Sequence, residues 1–481
     1  MKIAIIGAGL SGSNILKNLF DNRFIEDNEI FIFDPRNALG PGFPYEKDSL
    51  YKLLNVQDRF MSMTDDDLGF VKWLKTNNIE YQNFEEMTSR NYYGDYLKEI
   101  YKPYYEHNNV TIIHKEVTDI DVDQNTYKIK TDNWVDDVFE AVFLTIGHPE
   151  YADHYDLRGE KNYIHNPYPL DEKLSHFTEN DRIGIIGAGA TSLDIFRYIM
   201  QTYNLEYPFY IFTRDSIFNI PHINLINENF KFSISDEWVD AQLAENNGLI
   251  PLDNILKLID SDLKSEGVDF IKSYEKIKDL TLDLYRDILK NKPQDIALIT
   301  EYFERFTKYF SKLFAMLPKE DADKYLSTYH DMVDAFRTLT PPKTTEWLLS
   351  SIETGKVKIV KGLKEINVVQ SGQLEAIADE TILMDYLINT TGFDFNIKNN
   401  SDHNILIRNL YDKKIIDPDI NGNYVNITWP DANIISKRYG NLVNLYMIGM
   451  WVFGTHYRAN DIRSIKEVAR VVTNRFIEKN K

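Results

Sequence analysis

The chain has no cysteine among its 481 residues, which rules out disulfides, thiolate metal sites and any CxxC redox pair. Its ten histidines are scattered, with no HxH or HxxxH spacing, so no metal site is expected. No apolar run approaches the roughly 18–20 residues that cross a bilayer, and no membrane span is expected. The first strand begins at Lys2, leaving no room before it for a signal peptide, so the cytoplasm is the expected location. Basic charge is also short: 54 Lys and Arg face 74 Asp and Glu, for a net −20. A nucleic-acid partner would need a net basic face, so none is expected. Low-complexity tracts and solenoid-type repeats are absent as well.

What is present is core-forming material. Hydrophobic residues make up 43% and aromatics 13% of a chain long enough for two or three packed units. Two glycine-rich turns dominate it: Ile3-Ala4-Ile5-Ile6-Gly7-Ala8-Gly9-Leu10-Ser11-Gly12 and Ile183-Gly184-Ile185-Ile186-Gly187-Ala188-Gly189-Ala190-Thr191-Ser192. Each follows an apolar strand-like run and opens a helix-period segment, the context of a dinucleotide fingerprint in which glycines admit the pyrophosphate to a helix N-terminus. At the same offset from Gly7 and Gly187 stand Asp34 and Arg214, each closing a second apolar strand. A carboxylate there accepts from a ribose diol, whereas an arginine neutralises a 2′-phosphate. The first turn therefore suits FAD or NAD and the second NADP. Two points qualify the second turn. Ser192 replaces the third glycine, and Asp215 is placed either to pair with Arg214 or to recognise an NAD ribose itself.

The rest of the chain sorts around these turns. Ala141 to Gly147 and Leu387 to Gly392 each read as a strand ending on glycine, the pattern of a strand end passing close to a bound nucleotide. Between about 230 and 350 the pattern turns helical, with helices expected over Leu252–Glu266, Ser273–Leu289, Ile296–Leu317 and Lys319–Phe336. The expected class is α/β: two Rossmann-like dinucleotide-binding domains with a helical insert. The domain boundaries fall at 1–165, 166–385 (carrying the insert) and 386–481, the last returning to the first domain. The insert reads as a lid or a homodimer surface, with a direct substrate role as the alternative. Arg337 before Pro341-Pro342, and His456 with Arg458 before the last helix, are cations placed to receive an anionic substrate or a 2′-phosphate, or else surface ion-pair partners.

Gly40-Pro41-Gly42-Phe43-Pro44-Tyr45, Leu53-Leu54-Asn55-Val56, Met61-Ser62, Gly187 through Asp194, Thr213-Arg214, Pro221-His222, Ile388 through Gly392 and Tyr446-Met447-Ile448-Gly449 together carry a family resemblance. The chain resembles the two-dinucleotide flavoproteins that include class B flavin monooxygenases and N-hydroxylases. More narrowly, it is similar to the group of FAD-dependent urate hydroxylase and aspartate N-monooxygenase. The lack of cysteine excludes the disulfide-reducing branch. The resemblance implies that Gly7, Gly9, Gly12 and Asp34 hold the adenosine diphosphate of FAD, with Gly449 near the flavin and Gly147 at a neighbouring strand end. Gly187, Gly189, Ser192 and Arg214 would hold NADPH, with Gly392 nearby. Asn55 matches an asparagine beside the flavin where oxygen reacts, and its other reading is a turn cap after Leu54. The implied activity is hydroxylation of a small molecule by O2, through a C4a-peroxyflavin formed after NADPH reduces FAD. Two alternatives use the same sites: an NAD(P)H-dependent reductase, and a redox-sensing FAD-binding protein without useful turnover.

Overall fold

Ile3–Ile6, Ile30–Phe33 and Ala141–Leu144 have no polar face, so each strand needs cover on both sides, as in a parallel sheet flanked by helices. The computed structural model, in which residues 1–79, 87–214 and 218–481 are described, places them at the centre of a six-stranded sheet. Its order is Asn433–Ser436, Gly440–Met447, Ala141–Leu144, Lys2–Ile6, Glu29–Phe33, Val110–Ile113, parallel except for the first strand. Ile3, Ile5, Ile30 and Phe143 are completely or almost completely buried. The helices Leu10–Asp21 and Ile462–Asn480 pack against each other beside this sheet.

A second, five-stranded parallel sheet repeats the plan: Val357–Val360, Phe209–Phe212, Ile183–Ile186, Tyr386–Asn389, Tyr163–Ile164. In both sheets the glycine strand lies between the strand that ends near Asp34 or Arg214 and a returning strand that ends on Gly147 or Gly392. Tyr163–Ile164 and Tyr386–Asn389 thus pair inside the second sheet, whereas boundaries at 165 and 385 assign both to the first domain. Ladder partners decide membership, and an apolar run such as Leu387-Ile388 does not name its partner. Two antiparallel meanders, Asp119–Asp123 with Thr126–Lys130 and Trp134–Phe139, and Glu365–Val368 with Leu374–Ile377 and Thr381–Met384, occupy equivalent connections of the two units. Only one strand of each is visible as such in the sequence.

The insert forms a helical layer with its own core, including Val239, Tyr302, Phe303 and Phe336. The expected helix over Ser273–Leu289 is two, Phe270–Ile277 and Leu282–Asn291, because the Thr281 side chain caps a new start by accepting from Leu284 N at 3.2 Å. Lys319–Phe336 is helical throughout as expected, with a π-helical turn at Tyr325–Tyr329 between Lys319–Lys324 and His330–Arg337. The insert docks on the first unit through Arg463–Glu304 at 2.9 Å and Tyr457 stacked on Phe314 at 4.1 Å. No helix among the described residues is long and apolar enough to cross a membrane.

A charge network is buried where the two nucleotide-binding units meet. Asp194, in the helix Ala190–Thr202 and fully buried, accepts from Arg197 and from the Tyr168 hydroxyl at 2.9 Å, and pairs with Arg90 at 3.4 Å. Arg197 Nε donates to Tyr51 O at 2.9 Å, tying the second unit to a loop of the first. Removing one partner from a buried pair leaves an uncompensated charge. Asp194→Ala is therefore expected to lower stability by about 3–5 kcal/mol in chemical denaturation. Lys264→Ala, which breaks the exposed pair with Asp260, is expected to leave the same denaturation midpoint essentially unchanged.

His456 is fully buried with neither ring nitrogen hydrogen-bonded, and burial pushes it down to about 4 from 6.5. Below pH 6.5 the unfolded chain binds this proton more readily than the folded one, so stability is lost as pH falls towards 4. Relative to His456→Leu, the protein is expected to lose about 3 kcal/mol between those pH values, read as a steeper fall in Tm.

Candidate nucleotide and substrate site

The first glycine turn is built by a close approach. Gly7 has φ +99°, and a Cβ there would stand 2.2 Å from the Thr145 carbonyl oxygen. Thr145 Oγ1 lies 2.7 Å from Gly7 O and 3.0 Å from Ile6 O, its one hydroxyl hydrogen shared between the two carbonyls, which pins the returning strand to the turn. Gly12 lies beneath, where a Cβ would meet Gly7 O at 2.1 Å. The helix beginning at Leu10 has Gly9 as its N-cap, with no capping side chain and no acid in its first turn. Its first N–H groups are thus left for an anion.

This turn opens on a cavity of about 420 Å³ lined by Gly7, Gly9, Asp34, Gly147 and Gly449 among others. The Gly40–Tyr45 loop forms one wall, Gly9 and Gly42 meeting so closely that a Cβ on Gly9 would be 3.4 Å from the Gly42 Cα. At the Asp34 end the sequence reading missed Arg36. Asp34 accepts from Ala8 N at 2.7 Å, and from Arg36 through N at 3.0 Å, Nε at 2.8 Å and a terminal nitrogen at 2.5 Å. Burial raises the Asp34 carboxyl, but the Arg36 guanidinium outweighs it and holds the group below its usual range. A ribose diol at Asp34 therefore meets oxygens already engaged by Arg36. The signal was available, as an arginine two places after the strand-end carboxylate.

The second turn repeats the contact with a substitution. Gly187 has φ +117°, and Thr390 Oγ1 donates to Ile186 O at 2.7 Å, as Thr145 does to Ile6. Ser192 stands in place of the third glycine with a Cβ of its own, so this turn leaves room that the first does not, and its hydroxyl donates to Gly187 O at 3.0 Å and meets the Thr390 hydroxyl at 2.7 Å. Gly189, Gly392 and Arg214 are exposed, and the helix from Ala190 again lacks a capping side chain and first-turn acids. Asp215, the alternative partner of Arg214, lies outside the described residues.

Asn55 stands apart from the 420 Å³ cavity. It is exposed, accepts from Arg90 at 3.1 Å, and lines a cavity of about 40 Å³ facing the insert. Arg90 also donates to Leu53 O at 2.7 Å, so the Asn55 loop is held by the residue that pairs with Asp194. Of the three cations singled out by sequence, His456 is sealed in the core, and Arg458 is paired with Asp334 and in contact with His330 at 2.7 Å. Arg337 makes no ion pair among the described residues and lies over the Phe310 ring. Among the described residues there is no cluster of His, Asp or Glu that could hold a metal.

The FAD-NAD(P)-binding family model matches residues 4–149. No curated protein matches the chain in sequence. Among solved structures it is similar to L-lysine 6-monooxygenase from Pseudomonas syringae, at TM-score 0.63 and 12% identity over 99% of this chain and 98% of that one. It is also similar to the ornithine N-hydroxylase of Kutzneria sp. 744, with reduced FAD, NADP+ and L-ornithine in that structure's name, at TM-score 0.60 and 12% identity over 100% and 99%. Bacillithiol disulfide reductase from Staphylococcus aureus matches at TM-score 0.54 and 10% identity, also over 100% and 99%. The chain thus has, from end to end, the two-sheet α/β fold on which both hydroxylases and a disulfide reductase are built.

Proposed function

We propose that the chain is an FAD-dependent monooxygenase that draws hydride from NADPH and hydroxylates a small molecule with O2. The observation that carries this reading is the pairing of two equivalent glycine turns, one closed by Asp34 and the other by Arg214, in a chain whose remaining cavities face an insert. The first site fits a dinucleotide: uncapped first-turn N–H groups, a cavity of about 420 Å³ and glycines at its closest approaches. In this reading Gly7, Gly9, Gly12 and Asp34 hold the FAD adenosine diphosphate, with Gly147 and Gly449 at the flavin end. Gly187, Gly189 and Ser192 hold the NADPH pyrophosphate, Gly392 adjoins it, and Arg214 receives the 2′-phosphate.

Bound FAD supplies the two-electron store and the centre where O2 is activated. The chain's own residues do the rest. Asn55 offers an amide whose orientation Arg90 fixes. The insert packs against that loop through the Arg59–Glu301 pair at 3.3 Å, while Asn55 itself stays exposed. The names of the lysine and ornithine hydroxylases support oxygenation of this kind, and the motif residues favour the urate hydroxylase and aspartate N-monooxygenase group within it. A reductase uses the same two sites, and the fold shared with bacillithiol disulfide reductase is its support. The absence of cysteine removes thiol chemistry from that alternative.

Anaerobic reduction of the FAD-loaded protein followed by mixing with O2 tests the reading. NADPH is expected to bleach the flavin faster than NADH, and oxygen to give a persistent band near about 370–380 nm. Direct return to oxidised flavin would favour the reductase, and no reduction by either nucleotide would leave a flavin-binding module. Arg214→Ala is expected to raise the KM for NADPH about tenfold, the loss of one charge-assisted contact, with NADH little affected.

A further inference from the structure

The insert meets the Asn55–Phe60 loop along a cleft of three adjoining cavities of about 360, 200 and 40 Å³, all of which His222 lines. Charges inside it are mostly matched. Glu301 pairs with Arg59 and Arg305, both at 3.3 Å, and Glu304 pairs with Arg463 at 2.9 Å. His222 is pushed down to about 4 by burial and by Arg59, so at neutral pH it contributes no charge.

Arg337 is unmatched, as are Lys292 and Glu346 of the 200 Å³ cavity, but of these three it is the one that is not exposed. It lines the 40 Å³ cavity together with Asn55, and among the described residues it makes no hydrogen bond and no ion pair. Its guanidinium lies 4.5 Å over the Phe310 ring, and its Nε is closed off from solvent without an acceptor. Burial and then the neighbouring Arg458 work against its charge, and Asp461 and Asp334 offset them only in part, a balance that an arriving anion shifts towards the charged form. A guanidinium presents a planar fork of donors matched to a carboxylate, and leaving it desolvated without one is costly. The adjoining space of about 40 Å³ takes roughly three water-sized groups, the size of a carboxylate. The larger cavities beyond His222 have room for the rest of a small molecule.

We propose that this cleft is the substrate site, that the substrate is a small carboxylic acid, and that Arg337 receives its carboxylate beside Asn55. The assignment rests on the monooxygenase reading above for what happens to that substrate, but the binding itself does not depend on it. A phosphate of NADPH is the other anion that the same fork fits.

The test compares FAD-loaded wild type with Arg337→Met and Arg337→Lys, using acetate, propionate and succinate as probes and n-propylamine as the carboxylate-free control. Binding is read from thermal shift and from perturbation of the flavin spectrum, with NADPH titrated separately. The carboxylates are expected to bind wild type, to bind Arg337→Met at least about tenfold more weakly, and to recover part of that affinity in Arg337→Lys. FAD content equal to wild type reports that the variants have folded. Carboxylates that fail to bind wild type, or bind Arg337→Met equally well, would overturn the proposal. So would a loss confined to the NADPH titration, which would assign the anion to the cofactor. If carboxylate binding depends on Arg337 but NADPH never reduces the flavin, the site stands and the monooxygenase reading fails.

Discussion

The burial of Asp194 at the junction of the two nucleotide-binding units constrains everything around it. A carboxylate with no solvent contact demands cations, and here they come from both sides: Arg197 from its own helix and Arg90 from the first unit. Arg90 spends its remaining donors on Leu53 O and Asn55 Oδ1, and Arg197 spends one on Tyr51 O. Lys52 and Asp48 pair in the same buried layer at 3.4 Å, with the Lys52 ammonium 4.4 Å from the Tyr168 ring. The position of the Asn55 loop is thus set by the charge balance of a helix that begins at the second glycine turn. Such a network adds little net stability over apolar packing, but breaking it is expensive, which makes it suited to fixing one relative arrangement.

Each unit then solves the same local problem with the same device. A glycine at positive φ brings its turn against the backbone of the returning strand, and a threonine hydroxyl just after that strand ties the two together. Thr145 and Thr390 do this at Ile6 and Ile186. The third position need not be glycine where the backbone leaves room for a Cβ, as it does at Ser192, whose hydroxyl then donates to the Gly187 carbonyl. The two units differ in exposure at the turn itself: Gly9 is half-buried beside the 420 Å³ cavity, while Gly189 and Arg214 are open to solvent. A tightly held group and an exchanging one would need that difference.

Much of this was legible because the glycine turns and the strands before them are local features. Gly7, Asp34, Gly187 and Arg214 stand where their spacing in the chain implied, and the apolar central strands could only be interior. The meanders were half hidden because Asp119-Ile120-Asp121-Val122-Asp123 and Trp134 to Phe139 are rich in acids, and a strand rich in acids reads as a loop until its neighbours are known. The membership of Tyr386–Asn389 was hidden for a related reason: apolar strands carry no label for their sheet. Thr281 divided a helix that periodicity alone joined. Arg36 went unnoticed because its effect is on Asp34, whose carboxylate it engages.

The cations before the last helices make the same point about function. In sequence Arg337, His456 and Arg458 are alike, each a polar group ahead of a turn or helix. What separates them is who else arrives. Asp334, three residues before Arg337 on the same helix, turns instead to Arg458. Trp429 and the surrounding core close over His456. Glu301 and Glu304, the carboxylates that share the small cavity with Arg337, are committed to Arg59, Arg305 and Arg463. An unmatched guanidinium, in a cleft whose other unpaired charges, Lys292 and Glu346, are exposed, is the result of those other pairings, so it becomes visible only in the folded structure. A fully satisfied cleft would need no ligand, and this one lacks an anion at Arg337.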